Sequence, residues 1–173
     1  MTDGQSDTPI LTRARPEPRG YFKPIDDGGL LDWAPLQKRL QDARNYWVAT
    51  SSSDGMVHTM PVWGVWGVQG FTFSTGPSTR KARNLYENPN AVVHLEDGAA
   101  VLVVEGRATE VTDAARLAEF LDNYNPKYQW DFTLDQVQRG VFELRPLKAF
   151  AWLGDEGDAF AATATRFTFD DDS

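Results

Sequence analysis

Phe71-Thr72-Phe73-Ser74-Thr75-Gly76-Pro77-Ser78-Thr79-Arg80-Lys81-Ala82-Arg83-Asn84-Leu85 is the stretch on which the reading of this chain turns. An alternating strand runs to two hydroxyls, a Gly-Pro turn follows, and a helix opens on Ser-Thr-Arg-Lys. Ser78 or Thr79 caps that helix, and Asn88-Pro89-Asn90 ends it. Cationic side chains in a first turn oppose the helix macrodipole, which favours anions there. The conflict disappears if an anion sits at the helix start. Free backbone N–H groups, the hydroxyls and two cations then converge on one phosphate. The other reading is a solvated basic helix with a Ser cap. Between Asn45 and Gly106 the only cations are Arg80, Lys81 and Arg83, in a chain whose formal charge is −8.

Outward from this stretch the chain reads as short strands. Before it come Tyr46–Ser52, a Ser53-Asp54-Gly55 turn, and Val57–Trp66 as one long strand. Pro61 cannot donate to a ladder, so it marks an edge, a bulge or a backbone that faces something other than a strand. Around it, Thr59-Met60-Pro61-Val62-Trp63-Gly64-Val65-Trp66 offers free backbone against which a flat heteroaromatic ring can lie. Alternatively it is a core strand with two packed tryptophans. After the helix, Ala91–Leu95 and Val101–Val111 are strands, and Thr112 or Asp113 caps a second helix that Asn125-Pro126 closes. A short helix near Leu134–Gln138, strands Val141–Arg145 and Ala149–Leu153, a loop at Gly154–Ala159 and a strand Thr165–Phe169 follow. Near the start, Leu30, Leu31, Trp33, Leu36 and Leu40 share a helical face, giving a helix over Trp33–Arg44. These elements predict a mainly β (α+β) chain, a small antiparallel barrel with peripheral helices. Residues 1–28 read as a mobile arm able to wrap a partner, 29–169 as one domain, and 170–173 as an acidic tail.

Composition closes off other functions. The 173 residues fit one domain. No cysteine means no disulfide framework, no thiolate zinc site and no cysteine nucleophile, and it suits a reducing, cytoplasmic setting. A pI near 4.7 without a basic stripe argues against nucleic acid. His58 and His94 are the only histidines, too few for a multi-His metal site. No apolar run approaches the ~20 residues of a membrane span, and no secretory h-region opens the chain. Ser51-Ser52-Ser53 lacks a nucleophile elbow, and Glu96 and Asp97 would point to opposite faces of a strand. No catalytic side-chain constellation emerges. Tyr124-Asn125-Pro126-Lys127-Tyr128-Gln129-Trp130 is a hydrophobic lid, a subunit contact, or a loop pinned by aromatics.

Pro61-Val62-Trp63-Gly64-Val65-Trp66, Phe73-Ser74-Thr75, Ser78-Thr79-Arg80-Lys81-Ala82-Arg83-Asn84-Leu85, Asn88-Pro89 and Val92-Val93-His94-Leu95-Glu96-Asp97-Gly98 together resemble the pyridoxamine 5′-phosphate oxidase-like superfamily. Val103-Val104-Glu105-Gly106-Arg107-Ala108 looks like its long central strand and Ala164–Phe169 like its closing strand. The resemblance covers Asn45–Phe169 and implies a split antiparallel β-barrel that binds a flavin or deazaflavin. It implies that Ser74, Thr75, Arg80 and Lys81 contact the cofactor phosphate. It also implies that Thr59, Met60, Pro61, Val62 and Trp63 line the ring. A homodimer with shared sites is expected from the family. Trp152 and Arg166 fall where the oxidases have a Trp and an Arg on the cofactor. Lys127 and Tyr128 resemble a Lys-Tyr pair near the cofactor of the other subunit in the actinobacterial deazaflavin branch.

Two departures select within the family. No histidine follows His94, so the oxidases' substrate-handling element and the haem-degrading relatives' ligand are both missing. No arginine lies between Asn45 and Thr79, so one phosphate ligand of the FMN pattern is missing as well. Both favour coenzyme F420 over FMN. The expected activity is hydride transfer between reduced F420 and a small unsaturated organic acceptor. The alternatives are an FMN-dependent reductase or oxidase, or a flavin or deazaflavin carrier or sensor without turnover.

Overall fold

The computed structural model describes residues 11–16, 27–154 and 159–170. In chain order they form β1 (Leu11–Ala14), α1 (Trp33–Asp42), β2 (Tyr46–Ser51), β3 (Val57–Val62), β4 (Gly64–Trp66), β5 (Phe71–Ser74) and α2 (Arg80–Glu87). These are followed by β6 (Asn90–His94), β7 (Ala100–Glu110), α3 (Ala114–Tyr128), β8 (Val141–Leu153), α4 (Ala159–Thr163) and β9 (Thr165–Phe169). A 3-10 turn at Leu134–Gln136 follows α3.

All strand pairs are antiparallel, in the order β1-β9-β8-β7-β6-β2-β3. The barrel splits at β8. One edge of β8 pairs with β7 along its length, while the other pairs with β5 at Val141–Leu144 and with β9 at Lys148–Ala151. Strand alternation puts one face of each strand inward. Tyr46, Val48, Val93, Leu102, Val104, Phe71, Phe73, Phe142, Leu144 and Phe167 thus share a core with Leu36 and Leu40 of α1 and Ala82 and Leu85 of α2. Trp33 closes one end, its ring 5.2 Å from Phe167 and 5.0 Å from Phe169. A second cluster, Leu117, Phe120, Leu121, Tyr124 and Tyr128 of α3 with Val137 and Val141, packs beneath Trp63 and Val65. The chain therefore has the split-barrel architecture expected from its sequence.

The structure differs from the sequence reading at several points, each with a local cause. Val57–Trp66 is two strands, because Trp63 leaves the ladder and α3 clamps Gly64. Val141–Arg145 and Ala149–Leu153 are one strand, because a bulge absorbs Pro146. Gly106 faces Pro146 and Glu105 faces Lys148, leaving Leu147 as the extra residue. Gly106 is required there, since a Cβ would lie 2.1 Å from the Arg145 carbonyl oxygen. Asn125-Pro126 does not end α3, which runs on to Tyr128 before Gln129 turns left-handed. Burial of Tyr124 and Tyr128 offsets the one lost helix bond. Ala159–Thr163, which begins where the loop Gly154–Ala159 is expected to end and precedes the strand from Thr165, is α4, too short to show a period. Thr163 Oγ1 fastens it to Ala159 O (2.6 Å) and accepts from Leu153 N (2.9 Å). Residues 11–14, assigned to the arm, form strand β1 on β9, with Arg13 paired to Asp32 and Arg15 donating to the Ala162 carbonyl (2.7 Å). The remainder of the arm, residues 1–10 and 17–26, and tail residues 171–173 lie outside the described residues.

Candidate functional site

Two side-chain amides anchor α2 against β2. Asn84 Nδ2 donates to Thr50 Oγ1 on β2 at 3.0 Å, and Asn88 Nδ2 donates to Ser51 Oγ at 2.9 Å. Ala82 and Leu85 enter the core beside them. With that face committed, Lys81 is drawn in as well. It is only 7% exposed, yet among the described residues its ammonium has no hydrogen-bond acceptor and no carboxylate partner. Burial pushes its pKa below the ordinary lysine value. The stem is packed away while the ammonium keeps an opening to solvent, through which an anion can reach it.

The groups around Lys81 suit an anion. Thr79 is the N-cap: its Oγ1 accepts from Ala82 N at 3.3 Å and lies 3.0 Å from Thr75 Oγ1. Thr79 N donates to Gly76 O at 3.0 Å, closing the Gly-Pro turn so that both hydroxyls sit at the helix opening. Arg80 stands exposed at the first helical position. Arg83 is committed to the turn, donating to Ser78 O at 2.6 Å. The sequence candidates Thr75, Arg80 and Lys81 are thus brought together with Thr79. Ser74 is adjacent but lies on the opposite face of β5 from Phe71 and Phe73, across from Val141.

A sheet register adds a residue that the sequence reading passed over. His58 lies opposite Thr50, the residue that anchors α2. Burial, then the charges of Arg80 and Lys81, hold its pKa below the ordinary histidine value. No spacing in the sequence links residue 58 to residues 80 and 81; only the β2–β3 pairing does. Asp54, whose carboxylate is engaged by Ser52 and the Met56 amide, has its pKa lowered chiefly by those hydrogen bonds, and the charge of Arg80 adds to them. Facing residues alternate along β3, so the predicted ring-lining run divides. His58, Met60 and Val62 share the side of Thr50, Val48 and Tyr46, whereas Thr59 and Pro61 share the side of Ala49 and Trp47. Pro61 sits on a strand that ends the sheet, as a missing donor requires. Pro61, Val62 and Trp63 line a cleft of about 420 Å³ with Asn45 and Tyr124.

Lys127, Tyr128 and Trp63 are engaged within the chain. Lys127 Nζ donates to Tyr46 OH (2.8 Å), Gln41 O (3.1 Å) and Gly64 O (3.2 Å). Tyr128 OH accepts from Gly64 N at 2.9 Å and bonds the Arg44 carbonyl at 2.8 Å. Its ring stacks on Trp63 with centroids 4.8 Å apart, and Arg44 lies 5.3 Å from the Trp63 centroid. These side chains hold the β3–β4 break in shape. The 124–130 segment is therefore no loop but the last turn of α3 and its left-handed exit at Gln129, pinned by aromatics: Tyr124 and Trp130 both pack on Phe132, at 6.1 and 5.1 Å.

Trp152 and Arg166 are not brought to α2 within one chain. Ser74 pairs with Val141 at one end of β8, and Arg166 pairs with Phe150 toward the other, roughly 30 Å of strand away. Trp152 packs edge-on against Phe160 at 5.4 Å. Arg166 Nε is buried without a hydrogen-bond partner among the described residues.

Among the described residues no three His, Asp or Glu side chains form a metal-binding group, and no helix is long and apolar enough to cross a membrane. A cleft of about 500 Å³ lies elsewhere, between α1, α3 and the β4–β5 turn, with the Arg116–Glu143 ion pair on its wall. None of the residues named above as candidates lines it.

Comparison with known proteins agrees with the architecture. A family model described as pyridoxamine 5′-phosphate oxidase matches residues 34–153. None of the curated proteins matches the chain. Among solved structures, the conserved hypothetical protein Rv2991 from Mycobacterium tuberculosis is similar at 22% identity, with a TM-score of 0.63 over 76% of this chain and 89% of that one. The heme storage protein HutZ from Vibrio cholerae is similar at 19% identity, with a TM-score of 0.58 over 72% and 98%. A protein described as an F420 reductase is similar at 22% identity, with a TM-score of 0.54 over 65% and 94%. At these identities the likeness is one of fold.

Proposed function

The chain belongs to the pyridoxamine 5′-phosphate oxidase-like split-barrel family, and from that premise we propose that it is an oxidoreductase that uses coenzyme F420 to reduce a small unsaturated organic acceptor. One observation carries this reading: the Lys81 side chain, packed away with no carboxylate or hydrogen-bond partner for its ammonium among the described residues, beside the Thr75 and Thr79 hydroxyls at the start of α2. That set fits a phosphate, because it supplies a partly desolvated cation in Lys81, an exposed cation in Arg80, hydroxyls and free helix N–H groups. When bound, the reduced deazaflavin supplies the hydride.

The chain's own work is to bind and orient. Lys81 and Arg80 neutralise the phosphate end, and Thr75 and Thr79 orient it. The edge of β3, from Thr59 through Met60 and Pro61 to Val62, offers the ring a wall with one face of its backbone outside the sheet. Trp63, fixed by Tyr128, closes that wall against water. A second copy of the chain brings Trp152 and Arg166 to the site, and the unpartnered Arg166 Nε supports that role. No side chain is assigned to bond making, so specificity rests on the wall and the second copy.

Parallel fluorescence titration with F420 and FMN tests the cofactor. Tighter binding of F420 is expected; tighter FMN binding would make this a flavin protein of the same fold. Binding of neither would overturn the reading. Oxidation of reduced F420 on addition of an unsaturated ketone or enoate then separates an enzyme from a carrier or sensor.

A further inference from the structure

The loop that carries Thr75 and Thr79 is held from behind by a residue far from it in sequence. Gly140 O accepts from Thr75 N at 2.8 Å. Gly140 has φ +81°, and a Cβ there would lie 2.0 Å from Thr75 O and 3.2 Å from Pro77 N. The loop and the 139–140 turn are therefore in backbone contact that only glycine permits. Gly140 is in turn held by Glu110, the last residue of β7. Glu110 Oε1 accepts from Gly140 N at 2.8 Å, from Tyr86 OH at 2.9 Å and from Arg139 Nε at 3.0 Å. Tyr86 is on α2, and its ring lies 5.4 Å from Phe142 of β8. One carboxylate thus joins the helix that carries Lys81 to the turn that carries Thr75.

We infer that Glu110 is a positioning residue for the anion loop, acting through Gly140 and Tyr86 to keep the Thr75 and Thr79 hydroxyls in register with Lys81. Three donors on one oxygen make the junction stiff in two directions, toward β5 through Gly140 and toward α2 through Tyr86. A carboxylate near an anion site would otherwise repel the ligand, and Arg139 cancels that charge at 3.0 Å. Burial pushes the Glu110 pKa up, but the Gly140 amide, Arg139 and Tyr86 outweigh it, leaving the group below the ordinary glutamate value. The junction is therefore ionised at neutral pH, where a phosphate ester is an anion as well.

This inference rests on the anion-site reading above, and its test separates the two. The full chain is titrated calorimetrically with inorganic phosphate and with F420, alongside Glu110→Ala, Glu110→Gln, Gly140→Ala and Tyr86→Phe. Glu143→Gln serves as a control, because Glu143 is a buried carboxylate whose ion pair with Arg116 does not touch the loop. Glu110→Ala and Gly140→Ala are expected to weaken both ligands about tenfold, and Tyr86→Phe about threefold. Glu110→Gln should recover part of the loss. Glu143→Gln should lower the melting temperature without moving either affinity. If Glu110→Ala or Gly140→Ala does not fold, Tyr86→Phe, which loses one hydroxyl and keeps its half-exposed ring, still decides. Unchanged affinity in Tyr86→Phe and Glu110→Gln overturns the inference while the site reading stands. Failure of the wild type to bind either ligand overturns the site reading itself.

Discussion

Lys81 was legible in the sequence because its charge opposes the dipole of the helix it opens. Its burial was not, since that follows from Asn84 and Asn88 meeting Thr50 and Ser51 on a strand more than thirty residues earlier. The free protein carries the cost of that burial. The folded-state pKa of Lys81 is lowered, so between it and the ordinary value the unfolded chain binds more protons and the charged form opposes folding. Lys81→Met should therefore leave the melting temperature at pH 7 unchanged or raised; a fall of several degrees would mean that the ammonium has a stabilising partner. Lys127 carries the same sign with a different role. Burial, partly countered by Asp42, pushes it down to about 8 from 10.5. Its contribution to stability should rise between pH 8 and 10, where the unfolded chain still holds the proton. The wild-type melting temperature minus that of Lys127→Met should grow across that window, and a flat difference contradicts the assignment. Neither the Lys127 contacts nor those of Tyr128 could be read from spacing, because they arise where the end of α3 meets the β3–β4 break.

Elements were read well where period and punctuation agree. The strand Thr165–Phe169, the start of α1 at Trp33 and the end of α2 at Glu87 coincide with the sequence reading. Tertiary contact overrides a breaker at two points: Pro146 passes inside β8 and Pro126 inside α3. The β8 case gives a sharp test. Gly106→Ala drives a Cβ toward the Arg145 carbonyl at 2.1 Å and should cost about 2 kcal/mol or more. Gly98→Ala, whose Cβ meets nothing within 4 Å, should be close to neutral in the same denaturation series. Equal effects would mean that the bulge tolerates a side chain. At α2, Thr79→Ala removes the cap and should cost about 1 kcal/mol. It should also weaken phosphate binding, which a cap that served the helix alone would not do.

At the scale of the whole molecule, the outer face of the sheet is the feature left to explain. Pro61, Trp47, His94, Val103, Phe150, Arg166 and Ala14 stand directly opposite one another across seven strands, forming one row. Ala49, Val92, Glu105 and Lys148 form the next. The row is half-apolar and runs from the β3 edge, beside the proposed ring wall, to Arg166. A second copy packed on it would carry its own Arg166 to the first copy's β3, which is how a shared site would be built. Phe150→Glu places a charge in the middle of this row and outside the core. It should convert a dimer to a folded monomer in sedimentation and weaken F420 binding with it. A dimer that persists, or a monomer that binds as tightly, would locate the second copy elsewhere. None of this row could be seen in the sequence, because it exists only once the register of all seven strands is set.

The proposed function stands or falls on whether a phosphate meets Lys81 at the start of α2. Titration of F420 into wild-type and Lys81→Met protein, at matched pH and salt and with both shown to be folded, tests it most directly. The variant is expected to bind about tenfold more weakly or worse. Equal affinity would contradict it.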